Sequence, residues 1–184
     1  MLKLVEAPVP FVTLEDAKKH VQVVHTRDDE MITDQITSAI EFLDGPKGYL
    51  GAAIAPQKWL WKSGAFTDPM RFPLGPVVSI DSVSYIDGEG ATVSLDLASV
   101  YLFGDSESPY LRPVSDFPTD VSCRDDAVSI EFTAGRAVIP AQLKSAVLLI
   151  VGQLYRFREI DVDFKHFPVG FSMFDLAHPY RAVI

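Results

Sequence analysis

The chain is poor in the residues from which covalent and metal-centred chemistry is built. One cysteine, Cys123, stands alone among 184 residues. That excludes an internal disulfide and a thiolate metal cluster within one chain, and it fits a reducing compartment; Cys123 itself reads as a small residue near a turn. The four histidines, His20, His25, His166 and His178, form no close pair at metal-ligand spacing. A glycine-rich phosphate loop is missing, because Gly45, Gly48 and Gly51 follow a helical stretch instead of opening one after a strand. No serine sits in a nucleophile-elbow setting, and Cys123 beside Arg124 has no setting that would make it a catalytic thiolate. Positive charge is short as well: 16 Lys and Arg against 25 Asp and Glu leave a formal charge of -9. Such a balance excludes holding DNA or an anionic membrane by bulk electrostatics, although it permits surrounding DNA without gripping it. Internal repeats and low-complexity tracts are also missing. The opening MLKLVEAPVPFV meets Glu6, Pro8 and Pro10 before any apolar run develops. It therefore does not read as a signal peptide, and the protein is expected to stay in the cytosol of the cell that makes it.

What is present is apolar and periodic. Hydrophobic residues make up 48% of the chain, ample for a core in one domain or in one domain with an elaborated insertion. The stretch Ala141 to Glu159 organises the rest. Leu143, Val147, Ile150, Leu154 and Phe157 recur at three- and four-residue steps, and Ala146, Leu149 and Tyr155 widen that stripe beyond a surface helix's usual width. Pro140 marks its start, and Arg156 and Arg158 place positive charge at its carbonyl end. The stretch approaches the length of a bilayer span, but Lys144, Gln153, Arg156, Arg158 and Glu159 would lie in lipid. It reads as the central helix of a soluble core.

Two shorter helices precede it. Thr13 caps a helix running to about residue 22, with Leu14, Ala17 and Val21 inward. A second, over about 27–44, starts at the acidic Asp28-Asp29-Glu30 and keeps Ile32, Ile36, Ala39, Ile40 and Leu43 on one face until Gly45-Pro46 stops it. Acids at that position serve the helix dipole more readily than a cation. Between about 55 and 135 the period shortens to that of strands: Gln57 to Lys62 with Trp59 and Trp61 on one side, Val77 to Ile86 alternating through Val78, Ile80, Val83 and Tyr85, then Ala91 to Leu95. Further strands follow at Tyr101 to Phe103, Tyr110 to Leu111 and Val128 to Thr133. Asp87-Gly88-Glu89-Gly90 predicts a hairpin turn, and Pro69, Pro73 and Pro76 confine their surroundings to edges or loops. Base stacking on the two tryptophans is conceivable, yet their spacing with Lys58 and Lys62 fits a half-buried strand. The expected fold is α+β: a small helical bundle around one central helix, with an inserted antiparallel sheet.

The last segment is aromatic. Phe164, Phe167, Phe171, Phe174 and Tyr180 crowd a stretch too short for a core of its own. Either it folds back or another chain covers it, and a tail of this kind points to assembly. Residues 1–163 are thus expected to form the domain and residues 164–184 a docking tail, with Phe164, Phe167, Phe171, Phe174, Tyr180 and Arg181 touching a partner. Deleting Phe167 to Ile184 is then expected to leave a folded subunit that no longer docks. The cluster Asp161-x-Asp163-x-x-His166 is the one arrangement that resembles a metal site. Lacking a fourth ligand, it reads as a solvated loop; a small metal-dependent hydrolase is the alternative it leaves open.

The order of the pieces carries a resemblance. VTLEDAKKHVQV, LDGPKGYLGAAIAPQKW, PVVSIDSVSYID, VSIEFTAG, PAQLKSAVLLIVGQLYRFRE and the closing LAHPYR together resemble the head-to-tail connector, or adaptor, proteins of long-tailed phages and of phage-like gene transfer agents. The match runs over nearly the whole chain. Its most specific parts are the long helix followed by Arg158-Glu159, the run Phe132-Thr133-Ala134-Gly135, and Pro179-Tyr180-Arg181. Two departures stand out: Ala52-Ala53 where many relatives carry a basic residue, and Phe117-Pro118 where Trp-Pro is common. The resemblance implies a non-enzymatic protein with no cofactor and no metal, made in the bacterial cytoplasm and placed in the virion neck at the portal vertex. It implies a ring of identical subunits, typically a dodecamer, beneath the portal protein and above the next neck or tail component, a stopper or tail terminator. DNA would pass through the ring without specific binding, and no membrane would be involved. Another phage neck or tail-completion protein is the alternative within the same class.

Overall fold

The computed structural model of the protein describes residues 1–104, 109–157 and 172–182. In chain order it runs Leu2–Glu6 (β1), Leu14–Val21 (α1), Asp29–Leu43 (α2), Gln57–Ser63 (β2), Met70–Arg71 (β3), Val77–Ile86 (β4), Thr92–Leu95 (β5), Val100–Phe103 (β6), Tyr110–Pro113 (β7), Val128–Ala134 (β8), Ala141–Arg156 (α3) and Met173–Ala177 (α4). The class is mixed α+β. Two units divide the chain: a sheet unit of Met1–Val9 and Ala53–Ala137, and a helical unit of Pro10–Ala52 and Val138–Ile184.

In the sheet unit the expected single sheet is two. One is five-stranded in the order β1-β2-β8-β4-β5, the other three-stranded in the order β3-β7-β6, and every pairing within them is antiparallel. Strand β8 lies in the middle of the larger sheet because its alternation is the cleanest in the chain: Val128, Ile130, Phe132 and Ala134 are all fully buried. Around Phe132 the aromatic packing continues through Phe72 at 4.9 Å between ring centroids and on to Trp61 at 5.6 Å. Trp59 is buried on the same strand, so the tryptophans serve the core. Phe117 stacks on Phe66 at 4.6 Å, which keeps an aromatic ring at that place.

Strand β4 departs from simple alternation. Val78 is 52% exposed whereas Val77 and Val83 are buried. The pairing with β8 skips a residue twice, between Val77 and Ser79 and between Ile80 and Ser82. Each bulge resets the phase, and together they bring the half-buried Ile80 onto the core-facing side with Val77, Val83 and Tyr85. Asp81, inside the second bulge, accepts from the Thr133 hydroxyl at 2.9 Å and the Ser79 hydroxyl at 3.1 Å. The hairpin of β4 and β5 forms over Asp87-Gly88-Glu89-Gly90, with the Asp87 carboxylate accepting from the Glu89 and Ala91 amides. Strand β1 was invisible to periodicity because it is an edge strand, paired on one side only, and its residues are mostly exposed.

The helical unit is built by α1, α2, α3 and α4. Helix α3 packs against each of the other three, burying Leu143, Ala146, Val147, Ile150 and Val151. Each larger apolar side chain among these contributes roughly 1.5–3 kcal/mol. The helix ends at Arg156, capped by Phe157; residues 158 and 159 lie outside the described part. Its stripe is narrower than expected, since Leu149 and Leu154 remain 39% and 40% exposed. Helix α1 begins as its sequence predicts, the Thr13 hydroxyl accepting from the Asp16 amide. Helix α2 buries Ile32, Ile36, Ala39, Ile40 and Leu43.

Candidate functional site

The helical unit carries an exposed aromatic surface assembled from two distant parts of the chain. The first part is the turn that follows α2. Gly45 takes a φ of +80°, and Gly48 approaches the helix so closely that an added Cβ would meet the Asp44 carbonyl oxygen at 2.2 Å. The chain therefore doubles back over the last turn of α2: the Tyr49 amide donates to the Phe42 carbonyl at 2.8 Å and the Leu50 amide to the Leu43 carbonyl at 3.1 Å. This reversal lays Tyr49 parallel to Phe42, with centroids 6.5 Å apart and planes 7° from parallel.

The second part is α4 with the short 3-10 turn His178–Tyr180 after it. The Ser172 amide and hydroxyl both donate to the Asp175 carboxylate, at 2.6 and 3.0 Å, and close the first turn. Those bonds hold the Asp175 carboxyl below the usual aspartate range, with His178 adding a smaller push the same way. Ala177 is fully buried as α4 packs on α3. Phe174 then meets Tyr49 edge-on at 5.0 Å, and the Arg181 guanidinium lies over the same ring at 5.4 Å. The Tyr180 hydroxyl donates to the Gln142 side chain on α3, and the Ala182 amide donates to the Leu50 carbonyl at 2.8 Å. Phe42 and Phe174 stay 46% and 43% exposed. Such a surface offers two rings, a phenol edge and a guanidinium, the side-chain types enriched where proteins meet.

Of the six residues expected to touch a partner, Phe174, Tyr180 and Arg181 come together here on the body of the helical unit. Phe164, Phe167 and Phe171 lie outside the described residues. Phe42 and Tyr49 had escaped notice; an aromatic pair flanking Gly45-Pro46 was the available signal. Because Ala177 is buried and Ala182 is hydrogen-bonded, removing Phe167 to Ile184 would strip a cover from α3. Point substitutions at Phe174 and Arg181 are therefore the cleaner probe of this surface.

The helix-start acids are engaged, Asp28 accepting from the Tyr155 hydroxyl at 2.7 Å and Asp29 from the Lys18 ammonium at 2.5 Å. Among the described residues no three His, Cys, Asp or Glu side chains group as a metal site, and the Asp161, Asp163 and His166 cluster falls outside them. Cys123 is exposed. No helix among the described residues is long and apolar enough to cross a membrane.

Comparison with solved structures shows where this architecture recurs. A chain in the neck of an empty gene transfer agent particle, computed with C6 symmetry, matches with a TM-score of 0.80 at 20% identity, over 100% of this chain and 96% of that one. The fold is that of a gene transfer agent neck chain. A chain in the virion of a native gene transfer agent particle matches with a TM-score of 0.80 at 19% identity, and one in the neck of a native particle computed with C12 symmetry with 0.78 at 19%; coverage is again 100% and 96% in both. No protein-family model and no curated protein matches the chain.

Proposed function

We propose that the protein is a non-enzymatic structural adaptor of a virion neck. It forms a ring under the portal, joins the capsid to the tail and continues the DNA channel. The observation that carries this reading is the end-to-end likeness in fold to gene transfer agent neck chains, at a TM-score of 0.80, alongside the ordered sequence resemblance. The C6 and C12 symmetries of those necks support a ring of identical subunits, a dodecamer in the simplest case. In the ring, α3 is the central helix of a small bundle that forms the body. The net charge of -9 disfavours adhesion to phosphates, so DNA passes without being held. The Phe42, Tyr49, Phe174 and Arg181 surface meets the portal or a neighbouring subunit, Phe164, Phe167 and Phe171 also take part in that contact, and a stopper or tail terminator docks elsewhere on the ring.

The test is particle production with the gene removed. Filled capsids and free tails that do not join, restored by the wild-type chain, are the expected result; normally joined, genome-delivering particles would overturn the reading. For the docking surface, Phe174→Ser with Arg181→Glu is expected to leave the helical content unchanged and abolish co-sedimentation with purified portal. Unchanged co-sedimentation would remove that surface from the portal contact.

A further inference from the structure

The three-stranded sheet of the sheet unit has one buried face and one exposed face, and the exposed face is unusual. Met70, Val100 and Leu111 point into the core and are buried. The alternate positions point outward: Arg71 on β3, Tyr110 and Arg112 on β7, Tyr101 and Phe103 on β6. Register places Arg71, Tyr110 and Phe103 in one row across the strands, with Tyr101 opposite Arg112. The side chains are in contact within and between these two rows. Phe103 lies 5.4 Å from Tyr110 and 6.3 Å from Tyr101 between centroids, and the guanidiniums of Arg71 and Arg112 sit 5.8 and 5.9 Å from the centre of the Tyr110 ring.

An outward sheet face facing only water is ordinarily polar. The outward face of the larger sheet in the same unit is mostly polar, with Ser82, Ser84, Ser129, Glu131 and Thr133 on it beside the apolar Leu60 and Val78. In the smaller sheet all five outward positions are tyrosine, phenylalanine or arginine, the composition of a protein–protein contact. Tyr101 and Phe103 are 43% and 56% exposed. Charge narrows the partner. The sheet unit carries seven Lys and Arg against thirteen Asp and Glu, and two of the seven flank this one tyrosine. Arg112 already meets Asp68 at 3.1 Å, and the surplus of acid around the face opposes a phosphate backbone. An acidic protein surface fits, and this chain itself is one.

We infer that the Tyr101, Phe103, Tyr110, Arg71 and Arg112 face is a subunit–subunit contact that receives an acidic surface of a second copy of this chain. The inference rests on the ring reading above, since a closed ring needs two different, complementary faces on every subunit. It adds a contact on the sheet unit, separate from the aromatic surface of the helical unit.

The test places a photo-reactive benzoylphenylalanine at Phe103 in the full chain, which is irradiated both purified and after assembly into particles. A chain-to-chain adduct at about twice 20.3 kDa is expected, mapping to an acid-rich segment of the second copy. It should fall at least tenfold when Arg71→Glu and Arg112→Glu are added, and Lys substitutions at the same positions should retain it. Adducts only with another particle component or with nucleic acid would overturn the inference, as would no adduct in particles that contain the chain. A chain missing from particles would instead sink the neck reading, and the face would then stand or fall on the purified chain alone.

Discussion

Gly135 faces the Ala55 carbonyl oxygen so closely that a Cβ added to it would lie 2.1 Å away, and its φ of +127° lies where side chains strain the backbone. The contact closes the end of β8: the Gly135 amide donates to the Pro76 carbonyl at 2.8 Å and the Arg136 amide to the Ile54 carbonyl at 2.9 Å. Gly135→Ala is therefore expected to destabilise the protein by roughly 2–5 kcal/mol, combining backbone strain with overpacking. A urea midpoint equal to that of the wild type would show that the two segments do not approach in this way.

Phe132, three residues earlier, is fully buried and pairs with Phe72. Phe132→Ala is expected to cost about 3–5 kcal/mol, read as a fall in the denaturation midpoint with loss of the near-ultraviolet signal of Trp59 and Trp61. Phe132→Leu should recover most of that loss.

The Tyr155 hydroxyl donates to Asp28 at 2.7 Å in a part-buried setting and ties the end of α3 to the start of α2. Tyr155→Phe keeps the ring and removes the bond. A loss of about 1.5 kcal/mol is expected for a hydrogen bond to a charged acceptor. Hydrogen exchange should quicken at the first turn of α2 and leave β8 untouched; uniform quickening would mean the bond has only a global effect.

Asp175 sets the pH dependence of α4. Its folded carboxyl titrates below the 3.8 of an ordinary aspartate because the Ser172 amide and hydroxyl donate to it. The carboxylate form is the one these bonds favour, so the stabilisation is fully present above pH 3.8 and fades as pH falls through the lower folded value. A carboxyl titration followed by NMR should place the midpoint under 3.8, and Ser172→Ala should move it upward. A midpoint unmoved by Ser172→Ala would remove the hydroxyl as a cause.

Much of the fold was legible along the chain, wherever one face alternates between core and water. The burial of Ile32, Ile36 and Leu43 on α2 and of Val128, Ile130 and Phe132 on β8 follows from spacing alone. So does the Thr13 cap. Legibility failed where the pattern lacks a second observation. In β4 the change of phase between Ile80 and Val83 needed the bulge at Asp81, and Val78 turned outward. The residues of Leu2–Glu6, four exposed and Leu2 half-buried, carry too little burial to show a period.

Local chemistry therefore determined which segments become helix or strand and which of their faces are apolar, because propensity, capping and periodicity act over a few neighbouring residues. The tertiary structure alone decided that Phe42 and Tyr49 would meet Phe174 and Arg181, and that Arg71, Phe103, Tyr110 and Arg112 would share one exposed face. Those groupings join residues far apart in the chain. Only closure of the backbone around Gly48 and the pairing of β3, β7 and β6 bring their side chains within reach.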